Sequence, residues 1–256
     1  MILFTLMKNI LPEFSTKGYL DVLRCGKDHD YQFILFKDKN KVIEESKYCL
    51  IRHDIDISLS CALEMAKLEN SQEIVSTYFF MLRSPAYNLL GRYAFYVLNE
   101  IKKMGHEIAL HFDGVHPAVL QKGLLNSIDH ELNILSNLAE QEISSVSFHQ
   151  PSVEILKGDT YIPGKINTYN KEQFRGWNYL SDSNRIWKEH NGISVFADTG
   201  IRKIQLLIHP IWWIKDNPVI EDAWDRALEE NFYIMQKQFV ETERAFGIER
   251  KIQLIR

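Results

Sequence analysis

The stretch Tyr48-Cys49-Leu50-Ile51-Arg52-His53-Asp54-Ile55-Asp56 decides how this chain is read. An apolar run passes straight into a histidine and two carboxylates. Such groups are costly to place at the end of a hydrophobic strand unless they are solvated or liganded. Roughly fifty residues later Gly105-His106-Glu107-Ile108-Ala109-Leu110-His111 repeats the pattern, and His116 follows closely. Carboxylate plus imidazole is the ligand mix that suits zinc and its first-row neighbours. Metal-assisted hydrolysis is therefore the first chemistry to test.

Outward from that stretch, strand and helix patterns alternate. Residues 48–53 read as a strand, and Ser58 is placed to cap a helix reaching Asn70. Upstream, 15–25 reads as a short helix closed by Gly26, and 31–36 as a strand. Downstream, Ser76-Thr77-Tyr78-Phe79-Phe80-Met81-Leu82 is β-branched and aromatic, hence a buried strand. Residues 88–104 place Leu90, Ala94, Val97 and Ile101 on one helical face, stopped by Gly105. The rhythm continues with strand 106–111, helix 124–138 and strand 143–149. The region 152–179 is less regular, with a turn at Tyr161-Ile162-Pro163-Gly164 and a short strand over 176–180. Strand 203–208 and a long helix over 219–246 complete the pattern. Strands alternating with helices argue for a parallel sheet, which a chain this long commonly closes into a barrel.

Composition agrees with a single α/β domain over 1–256. The 256 residues are 45% hydrophobic and 25% charged, ordinary for a globular protein. A net charge of −4 and a pI of about 6.2 leave no basic footprint, which argues against a nucleic-acid partner. Cys25, Cys49 and Cys61 are odd in number and lack metal-site spacing, so buried thiols in a reducing compartment are the simplest account. The apolar run over 1–8 lacks the charge order and small-residue end of a secretory signal. No stretch reaches the ~18 apolar residues of a membrane span. The expectation is a cytoplasmic protein.

Six of the nine histidines, namely His53, His106, His111, His116, His149 and His209, lie at strand ends or just beyond. Asp54, Asp56, His111, His149, Asp182 and His209 fall at C-terminal strand ends, the face where a β/α barrel gathers catalytic groups. Asp54 and Asp56 flank Ile55, so strand geometry points both to one side. One can bind a metal while the other takes a proton from water. In isolation such a pair equally suits a solvated loop. His111 and His116, with Gly114 between them, would complete a facial set of one carboxylate and two imidazoles, unless His116 is a surface residue before Pro117. His106, at a strand start, reads as structural. His209 closes the apolar run Ile204-Gln205-Leu206-Leu207-Ile208, where it either protonates a leaving group or is a core histidine hydrogen-bonded to backbone. Trp212 and Trp213 stack on a sugar or pack in the core, and at least one is expected to be core. Arg83 meets either an anionic substrate group or a salt-bridge partner.

Together these segments, over roughly 48–213, resemble the polysaccharide deacetylase superfamily, also called NodB-like or carbohydrate esterase family 4. Arg52-His53-Asp54-Ile55-Asp56 is most similar to the first motif of the branch found in lipopolysaccharide O-antigen loci. The resemblance implies Asp54 as catalytic base and Asp56 as metal carboxylate, with His111 and His116 as the histidine pair of the second motif. The third motif normally carries an arginine that pairs with the base, and His149 stands there in Ser147-Phe148-His149-Gln150-Pro151. Asp182 matches the fourth motif, and Leu207-Ile208-His209 the fifth. Phe112 and Val115 replace the small hydroxyl residues usual in the second motif. The implied fold is a distorted (β/α)7 barrel. The implied activity is metal-dependent, zinc-assisted N-deacetylation of an acetamido sugar that is free, nucleotide-linked or lipid-linked, in O-antigen biosynthesis. His149, Asp182, Arg83, Trp212 and Trp213 support the site or bind substrate in this reading. The alternatives are an inactive carbohydrate-binding barrel and a cyclic-amide hydrolase.

Overall fold

The structure, a computed structural model, describes residues 13–187, 192–215 and 219–246. The apolar run over 1–8 lies outside them. Ser15 accepts a hydrogen bond from Gly18 N and starts α1 (Thr16–Asp28). The helix passes through Gly26 rather than stopping there, and a Cβ at this point would lie 2.6 Å from Phe33 Cζ. Glycine here allows a close approach to β1 (Tyr31–Phe33), not a helix end. The residues after β1 turn into a 3-10 segment, Phe36–Lys41, which drops Phe36 into the interior.

The central strand is β2 (Lys47–Ile55), followed by α2 (Leu59–Ser71), whose cap Ser58 accepts from Cys61 N. A cap of this kind contributes about 1 kcal/mol. Next come β3 (Thr77–Phe80), α3 (Arg92–Lys103) and β4 (Glu107–Asp113). Gly105, at φ +87°, turns the chain from α3 into β4. Leu90 lies ahead of α3 and is exposed, whereas Ala94, Val97 and Ile101 are buried. The chain continues with α4 (Pro117–Lys122), α5 (Leu124–Ala139), β5 (Ser145–His149), α6 (Val153–Leu156), β6 (Ile166–Asn167) and β7 (Asn178–Ser181). It ends with α7 (Ser194–Ala197), β8 (Lys203–Ile208), α8 (Pro210–Trp213) and α9 (Ile220–Thr242). None of the described helices is long and apolar enough to cross a membrane.

The strands run β6-β5-β4-β3-β2-β8-β7, with β1 also on β2, and the ladders are parallel. Period-two alternation sorts their side chains. Ile51, Ile55, Tyr78, Phe80, Ile108, Leu110, Val146 and Leu206 face outward and are buried under helix residues such as Met65, Val97, Ile101 and Leu135. Each such side chain contributes about 1.5–3 kcal/mol of burial. The inner face carries Leu50, Phe79 and Ala109, packed around Phe36 as an apolar plug. Among the described residues no ladder joins β6 to β7. Side chains bridge that seam instead: Gln205 Nε2 donates to Thr168 O at 3.2 Å, and Arg52 Nη1 to Thr168 Oγ1 at 3.0 Å. The result is a distorted seven-stranded β/α barrel, open along one line.

A second polar cluster lies on the outward side. Glu69 of α2 is fully buried and faces His53 Nε2 at 2.7 Å. It also accepts from Tyr19, Ser76 and Tyr78 hydroxyls. His106 donates Nε2–H to Ala66 O at 3.0 Å and accepts from Ser76 N through Nδ1, which makes it structural.

Candidate active site

Parallel strands deliver their C-terminal ends to one rim, and the inward alternation continues there. Arg52, Asp54 and Asp56 follow Leu50 on the inner side of β2, while His111 and Ser147 enter from β4 and β5. Arg52 is fully buried and grips Asp54 with two parallel bonds, Nε to Oδ1 at 2.7 Å and Nη2 to Oδ2 at 2.6 Å. Its guanidinium lies over the Tyr169 ring, 4.9 Å from the centroid. Burial favours the neutral acid, but Arg52, and then His111, outweigh it and hold Asp54 below the usual carboxylate range.

Asp56 is the meeting point of three imidazoles. Its Oδ1 lies 3.0 Å from His111 Nε2 and 3.1 Å from His149 Nδ1, and its Oδ2 lies 3.9 Å from His209 Nε2. Burial raises its pKa, yet hydrogen bonds from His111 and His149 carry it well below the usual range. Donor atoms of Asp56, His111 and His149 all fall within 4.8 Å of one another. His111 Nδ1 sits 2.6 Å from Ser147 Oγ, and Ser147 in turn donates toward Asp54 Oδ1 at 3.4 Å. With a cation held between His111 and Asp56, a proton on Nδ1 facing Ser147 would leave the Nε2 lone pair free to ligate it, the arrangement an outer hydrogen bond gives a metal-binding imidazole. One carboxylate and two imidazoles at this spacing fit a divalent first-row cation.

Across from His149 stands a second pair. Asp182, fully buried after β7, lies 2.6 Å from His209 Nδ1 and accepts from the His209 backbone N–H and from Trp213 Nε1. His209 Nε2 is thereby turned toward Asp56. Burial lowers the His209 pKa, but Asp182 and then Asp56 overcome this and raise it to about 9. Trp213 is thus core, buttressing Asp182. Trp212 lines the cleft, edge to face with Trp224 of α9 at 6.1 Å, and its indole N–H has no partner among the described residues.

His116 stands apart from the cluster. Pro117 at the first position of α4 makes His116 the cap, and its Nδ1 accepts from Ala118 N at 3.2 Å. The third donor beside Asp56 and His111 is His149. His149 therefore does not take over the arginine's place beside Asp54, which Arg52 fills from two residues upstream. Arg83 pairs with Glu131 at 2.5 Å. Arg52, Ser147, Tyr169 and Trp224 are site residues that sequence reasoning passed over. For Arg52 and Ser147 the signal was present, since each stands two residues before a site residue on its own strand.

The cleft over this constellation measures about 450 Å³, within the range of small-ligand sites. No protein-family model matches the chain, and no curated protein sequence does. Among solved structures it is similar to a CE4 family pseudoenzyme from Bacillus anthracis, at 12% identity over 73% of this chain and 62% of that one, TM-score 0.43. It is similar to the peptidoglycan deacetylase PdaC from Bacillus subtilis, at 13% identity, 82% and 98% coverage, TM-score 0.40. It is also similar to the chitin deacetylase from the fungal pathogen Colletotrichum lindemuthianum, at 12% identity, 73% and 84% coverage, TM-score 0.45. The match spans under two thirds of the pseudoenzyme's length. These are likenesses of chain course at low identity.

Proposed function

We propose that this chain is a metal-dependent N-deacetylase of an acetamido sugar, a member of the polysaccharide deacetylase superfamily serving O-antigen or related surface-polysaccharide biosynthesis. The observation that carries the reading is Asp56, flanked by His111 and His149, between Asp54 on one side and the Asp182–His209 pair on the other. Asp56, His111 and His149 would hold a divalent cation, with zinc the first choice. Such an ion supplies carbonyl polarisation and a lowered pKa for water. The remaining work falls to the chain itself. Asp54, held in one orientation by Arg52, accepts the proton of the attacking water. His209 Nε2 gives a proton to the departing nitrogen, because an amine anion is too basic to leave. Asp182 fixes the His209 tautomer and its aim. A carbohydrate-binding barrel has no use for an acid oriented by a buried carboxylate, which favours the enzyme over that alternative. The buried thiols Cys25, Cys49 and Cys61 suit a reducing compartment such as the cytoplasm.

The test is acetate release from N-acetyl sugars by zinc-loaded protein. Asp54→Asn is expected to keep its metal and lose on the order of 10²-fold or more in turnover. His209→Ala should lose amide hydrolysis strongly and hydrolysis of an activated phenyl acetate much less, since phenolate needs little protonation. No acetate from any amide, with metal bound stoichiometrically, would leave the binding barrel as the better account.

A further inference from the structure

Resting on the deacetylase reading, the next question is what the sugar is attached to. The cleft does not end at the sugar-sized space over Asp54 and Asp56. On its β5 side a second cavity of about 370 Å³ adjoins it, and Phe148, His149, Gln150 and Pro151 line both. The inner walls of the second cavity are apolar: Val119 and Ile155 are buried there and Leu124 is half-buried. Its mouth carries Val115 and Leu120, 59% and 79% exposed, and Val153 and Leu156 of α6 are exposed beside it. Apolar side chains gathered around an opening are uncommon on a surface that meets only water.

The charges narrow the choice of occupant. Apart from His149, Glu154 is the one ionisable side chain among the described residues lining this cavity. The described lining of the main cleft holds Asp54, Asp56 and histidines, with no lysine or arginine. Among the described residues lining either cavity, no lysine or arginine offers a nucleoside diphosphate or other phosphate ester a cationic fork. An uncharged aliphatic chain meets matched surface, in a cavity that shares its β5 rim with the proposed reaction centre. We propose that the substrate is an N-acetylated sugar glycosidically joined to a single uncharged aliphatic chain, and that the chain lies in the cavity between α4, the start of α5 and α6. The sugar occupies the cleft under Trp212, and the β5 rim at Phe148–Pro151 marks where sugar gives way to chain.

The experiment uses the full chain loaded with zinc and compares methyl, hexyl and octyl glycosides of N-acetylglucosamine with a uridine-diphosphate N-acetyl sugar. Both acetate release and binding by calorimetry are followed. Affinity and kcat/KM are expected to rise about fourfold per added methylene until the cavity fills. The nucleotide sugar is expected to fall below the octyl glycoside. Val115→Asp/Leu120→Asp changes two exposed side chains at the mouth, where the fold tolerates charge, and should bring the octyl-to-methyl ratio close to one. Equal affinity and rate for methyl and octyl glycosides would overturn the inference and leave the deacetylase reading standing. Preference for the nucleotide sugar would do the same. Chain-length-dependent binding without any acetate release would uphold the cavity's role and overturn the deacetylase reading. An unchanged octyl-to-methyl ratio in the double variant would place the chain elsewhere and sink the proposal.

Discussion

Arg52 is fully buried and its carboxylate partner nearly so, which makes each the condition for the other's charge. Removing one side of a buried pair strands the other, at a cost of about 3–5 kcal/mol, whereas removing both is far milder. Arg52→Ala should therefore lower unfolding stability by about that amount, and Arg52→Ala/Asp54→Ala should recover a large part of it. Denaturant titrations of both variants read the difference, and strict additivity would show that the pair is not coupled. The same residue marks the limit of the sequence reading. Strand alternation placed Asp54 and Asp56 on one side, and extending it two residues back would have placed Arg52 with them. The family resemblance drew attention to position 149 as the seat of the arginine's role, and there the structure has a histidine turned to Asp56. For His116 the histidine spacing was legible, whereas the capping geometry at Pro117, which the structure shows, was not.

Among the elements, β2 is the one with chemistry on both faces. Its inner side holds the site, and its outer side presents His53 to Glu69 of α2. Burial raises the Glu69 pKa, but His53 and then His106 overcome it and bring it down to about 2. An acid depressed on folding stabilises the fold above its unfolded pKa of about 4.3 and loses that contribution as pH falls toward the folded value. Wild-type stability should accordingly drop between about pH 4.3 and 2, and Glu69→Gln should be less stable near neutrality with a shallower acid slope. Urea midpoints measured across that window decide it, and an unchanged slope would remove Glu69 from the acid response. The strong elements, β2, β3, α2, β4, α5 and β8, were legible because apolar periodicity and caps agree. β6 has only Ile166–Asn167, too short for any period to register. Gly26 reads as a stop from sequence, and only the contact with Phe33 shows why it sits inside a helix.

For the whole molecule, Asp56 directly follows β2 while His111 and His149 come from β4 and β5, so an ion held by them ties together strands distant in sequence. Binding to the folded state alone adds about 2.7 kcal/mol at a hundredfold excess over Kd. For a chain of this size that corresponds to a rise in Tm of about 5–10 °C. Zinc should produce this shift in wild type and in His116→Ala, and little of it in His149→Ala. A scanning-calorimetry titration in which His116→Ala loses the shift and His149→Ala keeps it would reverse the ligand assignment. The alternation of strands and helices made the parallel barrel legible, while the unjoined line between β6 and β7 left no trace in composition or period. That seam has a mechanical consequence. A barrel closed by a hydrogen-bonded ladder resists widening along every strand, but this one is latched by a few side chains, and Arg52 is among them. Any widening of the seam between β6 and β7 pulls on Thr168, and through it on the guanidinium bonded to Asp54. The line that no ladder closes thus runs past the residue that orients Asp54, so a loosening there would also disturb the proposed base.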